Sequence, residues 1–208
     1  MNTRNFLIYI HDKDIMLLCC SDMNIISRAD LFAMNLTFPW ESQSDTTVPL
    51  GVVLVYKVSH DDVNCSYEKL WEKSFPYQTG VISFDTESEV MCVGLDNGKV
   101  YVYQHNTSSN YSDFIQVCEI NAHNDRVMGV VYDNTVKRVY SCSLDKTFYC
   151  HDITQTPIQS YLICKSKDGY TNMRFSKCKG NVYLSNESGM FSIYNTTTVH
   201  KEEMKMIP

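Results

Sequence analysis

Apolar residues along this chain gather in short runs and seldom recur three and four apart. The runs Val52 to Val58, Val81 to Phe84, Val90 to Leu95, Lys99 to Gln104, Val127 to Tyr132, Arg138 to Ser143 and Met190 to Asn195 are rich in β-branched and aromatic residues, with Gly, Asn, Asp and Ser between them. Short runs of that composition, bounded by turn formers, predict β-strands. The expected fold class is therefore all-β.

Lining the chain up against itself exposes a period. Gly51-Val-Val-Leu-Val-Tyr56, Gly98-Lys-Val-Tyr-Val-Tyr103 and Gly189-Met-Phe-Ser-Ile-Tyr194 share one form, and Lys146-Thr-Phe-Tyr-Cys-His151 fills the gap between the last two. With Tyr56, Tyr103, His151 and Tyr194 as markers, the intervals are 47, 48 and 43 residues. An acidic turn precedes each of the later copies: Asp96-Asn97-Gly98, Asp145-Lys146-Thr147 and Glu187-Ser188-Gly189. Asp-Asn-Gly between alternating apolar runs is hairpin chemistry, because Asn and Gly accept the positive φ of a tight turn. Inner strands are expected at Val81 to Phe84, Val127 to Tyr132 and Thr171 to Phe175. The linking segments Leu70 to Phe75, Ile115 to Ile120 and Ile158 to Ile163 are expected to supply outermost strands, making each unit a four-stranded antiparallel sheet.

A period of roughly 40 to 45 residues holding four strands is that of a β-propeller blade. Ala122 to Asp152 resembles a WD40 repeat over its full length. Ala122-His123 stands at the Gly-His position, Ser141-Cys-Ser143-Leu-Asp145-Lys-Thr147 at the Ser-x-Ser-x-Asp-x-Thr hairpin, and His151-Asp152 where that family has Trp-Asp. The expected architecture is a WD40-type β-propeller with about four blades, partial or open. Blade 1 covers about 1–66 with an insertion at 21–50, blade 2 about 67–110, blade 3 about 114–155 and blade 4 about 157–200. More narrowly, the order of features from Lys69 to Tyr194, with VGLDNGKVYVY followed by INAHNDRV and the SLDK hairpin, is similar to the propeller of endosomal WD-repeat proteins that carry a FYVE zinc finger. This sequence has neither the closely spaced cysteine pairs nor the basic patch of that finger, so phosphoinositide binding is not implied.

The resemblance implies roles for the polar residues of the third repeat. In WD40 repeats a His, a Ser, the turn Asp and the Trp are hydrogen-bonded in series. His123, Ser141 or Ser143, and Asp145 are expected in those places, with His151 at the Trp position, where an imidazole donates or accepts while an indole only donates. Asp152, and Asp96, Tyr103 and Tyr194 in the neighbouring repeats, complete the expected structural set. The same Ser, His and Asp are also the ingredients of a hydrolytic triad, which needs Ser within reach of His and an oxyanion site beside it. No Gly-x-Ser-x-Gly elbow accompanies them, and a sheet that must satisfy its buried polar groups accounts for them at roughly 1 kcal/mol per bond. No catalytic residue, metal or cofactor is expected. The segment 21–50 replaces a hairpin turn that takes a few residues elsewhere; its Phe32, Phe38 and Trp40 are candidate anchors for a partner, or pack over the blade edge.

Composition narrows the function classes. With Lys+Arg 18 against Asp+Glu 24, the net charge of −6 offers no footprint for nucleic acid or anionic lipid. The apolar run Phe6 to Ile10 is too short for a secretory signal, and Asp22, Arg28 and Asp30 interrupt the best candidate for a membrane span. A cytoplasmic chain without direct membrane insertion is expected, associated with endosomes if the narrower likeness carries over. The 9 cysteines form no C-x-x-C pair, and several fall inside apolar runs as small buried thiols do. The expected function is a non-catalytic scaffold or adaptor that binds other proteins. The alternatives are a structural subunit of a larger assembly, with a second chain completing the propeller, and a hydrolase using His123 and Asp145.

Overall fold

A computed structural model describes residues 6–20, 51–60, 65–196 and 205–206. They form sixteen strands and one short 3-10 turn, Lys177–Lys179. The first sheet holds β1 (Phe6–Ile10), β2 (Ile15–Cys20), β3 (Gly51–His60) and β4 (Cys65–Phe75) in that order. The second holds β5 (Thr79–Asp85), β6 (Val90–Leu95), β7 (Lys99–His105) and β8 (Phe114–Asn121). The third runs β9 (Val127–Asp133), β10 (Arg138–Ser143), β11 (Thr147–Asp152) and β12 (Gln159–Lys165), and a two-residue strand, β16 (Lys205–Met206), pairs onto its outer edge. The fourth has three strands, β13 (Tyr170–Ser176), β14 (Asn181–Asn186) and β15 (Phe191–Asn195). β1 with β2, β6 with β7, β9 with β10 and β13 with β14 all pair antiparallel, as hairpin-linked neighbours must.

Two features differ from the expectation of four strands per unit. Sequence repeat and hydrogen-bonded sheet are out of phase by one strand, because each linking segment pairs with the strand before it: Val55 lies opposite Trp71, and His151 opposite Ser160. The fourth sheet ends at β15, and the chain's last described strand joins β12 of the third sheet instead, with Tyr161 opposite Met206. Phe32, Phe38 and Trp40 lie outside the described residues.

The chain divides into two compact units, residues 1–79 with 106–114, and residues 80–105 with 115–208. In the first, β2 and β3 form the core. Leu17, Cys19 and Val52 to Val55 are inaccessible to solvent. The segment 106–114 folds on itself through the bond from Asn106 N to Asp113 O (3.0 Å), and Phe114 packs on Trp71 with ring centroids 5.0 Å apart. The outer strand β4 carries Glu68, Lys69, Glu72 and Lys73, charges that discourage pairing with another chain at an open edge.

In the second unit, successive sheets pack face to face. A Cβ on Gly94 would stand 2.6 Å from Val127 Cγ1, and one on Gly129 only 2.3 Å from Met173 Cβ, so these glycines let adjoining sheets approach closely. Tyr140, Cys142, Phe148 and Cys150 of the third sheet form one apolar cluster with Tyr170, Met173, Val182 and Leu184 of the fourth. Lys177 Nζ, on the turn after β13, reaches Asp85 (3.0 Å) at the end of β5 and Glu87 (2.6 Å) just beyond it, and Thr196 donates to Asp133 (3.1 Å).

Candidate functional site

The third sheet gathers the polar residues of the Ala122–Asp152 stretch. Between β10 and β11 the chain reverses through Asp145 and Lys146, closed by Lys146 N donating to Ser143 O at 3.2 Å. Lys146 takes φ 73°, where the equivalent turns carry Gly98 (85°) and Gly189 (79°). A side chain is strained in that region, so the third repeat holds by other means the conformation that glycine gives its neighbours freely. The Asp145 carboxylate does this by accepting from the N–H of Thr147 (3.0 Å) and of Asn124 (3.0 Å) and from the Thr147 hydroxyl. Ser143 Oγ accepts from Asp145 N at 3.0 Å and donates to Asp125 O at 3.0 Å, tying the turn to the loop before β9.

That loop delivers His123. Its Nδ1 lies 3.2 Å from both Asp145 carboxylate oxygens and 2.8 Å from Thr147 Oγ1. Since the Thr147 hydroxyl proton is committed to Asp145, Nδ1 carries the hydrogen and donates. On the other side of the ring, Nε2 is 2.9 Å from Ser141 Oγ; Ser141 Oγ is 2.7 Å from His151 Nε2; and His151 Nδ1 is 2.8 Å from Ser160 Oγ on β12. The five side chains thus form a line across the sheet, from the turn Asp145 through His123, Ser141 and His151 to Ser160.

Burial and hydrogen bonding shift two members of this line. Burial, and next the charge on neighbouring His123, push the His151 pKa down to about 3, so its ring is neutral at physiological pH. Burial acts to raise the Asp145 carboxyl, but the bonds from His123, Thr147 and the Asn124 amide outweigh it and hold it well below the usual carboxylate range. Ser141 Oγ stands between His123 Nε2 and His151 Nε2, donating to one and accepting from the other, and Ser160 Oγ closes the line at His151 Nδ1.

Ser141, His123 and Asp145 therefore stand in the order and at the distances of a nucleophilic triad. Their surroundings do not serve one. Ser141 and His151 are wholly inaccessible, the His123 side chain has 0% exposure and Asp145 only 10%. A nucleophile must meet its substrate, and Ser141 Oγ is enclosed between two imidazoles. A cleft of about 280 Å³ elsewhere in the same unit is lined by Cys164, Lys167, Tyr170, Asn186, Met190 and Tyr194, and by none of the five. No group of three or more His, Cys, Asp or Glu suited to a metal ion occurs among the described residues.

Both candidate serines are thus placed: Ser141 lies in the line, and Ser143 braces the turn. Asp152 accepts from Thr154 N (3.1 Å) and Oγ1 (2.6 Å) and shapes the reversal after β11. Asp96, in the equivalent turn of the second sheet, lies 4.0 Å from Arg126 Nη2. Tyr103 is buried at the position of His151, and Tyr194 is half-buried there in the fourth sheet, its ring 5.2 Å from Phe148. Thr147 and Ser160 are the members that sequence reasoning did not assign. Thr147 was visible as the last residue of the hairpin motif, and Ser160 is recognised only once β11 and β12 are in register.

Comparison with known proteins places the fold. No protein-family model and no curated protein matches the sequence. Among solved structures, Saccharomyces cerevisiae Sqt1, a WD40 protein, superposes with a TM-score of 0.61 at 11% identity. The fold is a partial WD40-type β-propeller. The match covers 97% of this chain and 49% of Sqt1, so the chain spans about half the length of that protein. At such low identity the likeness concerns the fold alone, and the Asp145-to-Ser160 line is described by its own geometry.

Proposed function

We propose that this chain is a non-catalytic scaffold of the WD40 type, working through contacts with other proteins in the cytoplasm and, following its likeness to endosomal WD-repeat proteins, at endosomes. The observation that carries this reading is the enclosure of Ser141: the Ser141, His123 and Asp145 set, which has triad spacing, has no surface. Its bonds are spent on holding a loop, a hairpin and an outer strand together. Apolar side chains meanwhile stand in solvent, among them Ile115 (56%), Val117 (50%) and Phe191 (63%), and exposed apolar surface is what a binding module offers. The net charge of −6 speaks against nucleic acid as the partner.

Co-purification of the tagged chain from cells, with imaging of the same fusion, tests the reading. A reproducible set of protein partners and endosomal puncta are expected. Partners lost on replacement of Ile115 and Val117 by Asp would assign the binding to β8. A hydrolytic activity that disappears in His123→Ala while thermal stability stays unchanged would overturn the scaffold assignment.

A further inference from the structure

The fourth sheet repeats the backbone of the third but not its filling. Ser166 N donates to Lys146 O (2.8 Å) as His123 N donates to Gly98 O (3.0 Å), and further along the same loops Gly169 O accepts from Glu187 N (2.9 Å) as Arg126 O accepts from Leu144 N (3.1 Å). Ser166 therefore holds the place of His123. Register fixes the other equivalents. Leu184 pairs with Met173 and Ser192 as Ser141 pairs with Val130 and Tyr149, and Val182 pairs with Tyr194 as Val139 pairs with His151. Met190, before Ser192 on the same hairpin, holds the place of Thr147.

In the third sheet that place is full. The His123 side chain is sealed, with the Tyr149 ring edge-on 5.2 Å away and Thr147 Oγ1 and Ser141 Oγ on its two nitrogens at 2.8 and 2.9 Å. In the fourth sheet serines replace both rings, and the cleft of about 280 Å³ lies there: Ser166, Ser192, Met190 and Tyr194 all line it. Tyr101 follows Gly98 at the interval by which Tyr149 follows Lys146 and Ser192 follows Gly189, so the second sheet also carries a ring where the fourth has Ser192.

The same exchanges set the chemistry of the cleft. Thr147 and Ser141, which bond the imidazole nitrogens, give way to Met190 and Leu184, and a ring nitrogen loses those partners. A thioether beside an aromatic ring is favourable, and Tyr170 and Tyr194 add aromatic walls. Burial pushes both phenols up, so they stay protonated, and both bond to Cys164. An apolar cavity of about 150 Å³ suffices for benzene, so this cleft has room for a phenyl or indole ring. Met190, 65% exposed, would be covered by it. We infer that the cleft seats an aromatic side chain, phenyl or indole, of a protein partner. The source of the ring rests on the scaffold reading; the chemistry of the seat does not.

Alkylation of Cys164 in the purified chain, mapped by peptide with exposed Cys178 as internal control, tests the seat with free indole and free imidazole as probes. Indole at ten times its dissociation constant should slow Cys164 by roughly tenfold and raise the melting temperature, leaving Cys178 unchanged. Imidazole at the same concentration should do neither. Ser192→Tyr, which installs the ring of the second and third sheets, should keep the wild-type circular dichroism and abolish the indole effect. Among co-purified proteins, the partner that Ser192→Tyr loses should be the one that free indole displaces. No protection by indole, equal protection by imidazole, or a folded Ser192→Tyr chain protected like wild type overturns the seat. Protection by indole with every partner retained by Ser192→Tyr overturns the protein source of the ring. Protection by indole with no partner recovered at all overturns the scaffold reading, and the protein source with it.

Discussion

Replacing His151 by Tyr, the residue at the equivalent position of the other three sheets, removes a buried base from the centre of the Asp145-to-Ser160 line. Burial holds its pKa at about 3 in the folded chain. In the unfolded chain an imidazole titrates near 6.5, so below that pH the unfolded state takes up a proton that the folded state refuses. Stability is then full above about pH 6.5 and falls by up to about 1.4 kcal/mol per pH unit until the folded pKa is reached. Between pH 7 and pH 5 the loss amounts to about 2 kcal/mol, or roughly 4 to 8 °C of melting temperature for a chain of this size. The Asp145 carboxyl, held low, weakens the fold only as the pH drops through and below the ordinary carboxylate range near 4, so the two groups separate in pH. The assay is thermal or urea unfolding of wild type and His151→Tyr at intervals from pH 7 to pH 5. The variant should show the shallower slope by one proton's worth, whatever its stability at pH 7. Parallel slopes would refute the reasoning, since they would mean that His151 protonates as readily in the folded chain as in the unfolded one.

Two turn substitutions should move stability in opposite directions under urea unfolding. Gly98→Ala sets a Cβ 2.0 Å from the His123 carbonyl oxygen at a φ of 85°, and is expected to cost at least about 3 kcal/mol. Lys146→Gly relieves a side chain at φ 73° and should stabilise by a few tenths to about 1 kcal/mol, since the greater freedom of glycine in the unfolded chain offsets part of the gain. Thiol labelling followed by peptide mapping should find Cys178 modified quickly in the native protein. Cys19, whose pKa burial pushes up to about 12, and the buried Cys92, Cys142 and Cys150 should react only on unfolding.

Strand identity was legible because turn chemistry and alternation act locally. Asp96-Asn97-Gly98 marks a reversal wherever the strands beside it go, and Phe6 to Ile10, Ile15 to Cys20 and the strand from Gly51 lie where the pattern puts them. Which neighbour a linking strand pairs with is not local. Gln159 to Lys165 has the same composition whether it closes the sheet before it or opens the one after, so its pairing to β11, and with it the place of Ser160, waited on the register. Burial is less legible still. Phe148 and Phe191 occupy equivalent positions in equivalent hairpins, yet one is sealed and the other stands in solvent, because exposure depends on the sheet next door. For the same reason the repeat brought His123, Asp145 and the two serines together on paper without distinguishing a triad open to substrate from an enclosed brace. That distinction lies in the burial of Ser141 and His151, which depends on neighbours that the repeat pattern does not name.

The most direct test of the cohesive role assigned to these side chains is a double-mutant cycle between His123 and Ser141 in urea unfolding at pH 7. His123→Ala and Ser141→Ala each sever the line, so the double variant should be less destabilised than the sum of the singles, with a coupling of about 1 kcal/mol or more. Strictly additive losses would contradict it, because two groups joined at 2.9 Å inside a sealed sheet cannot act on stability independently.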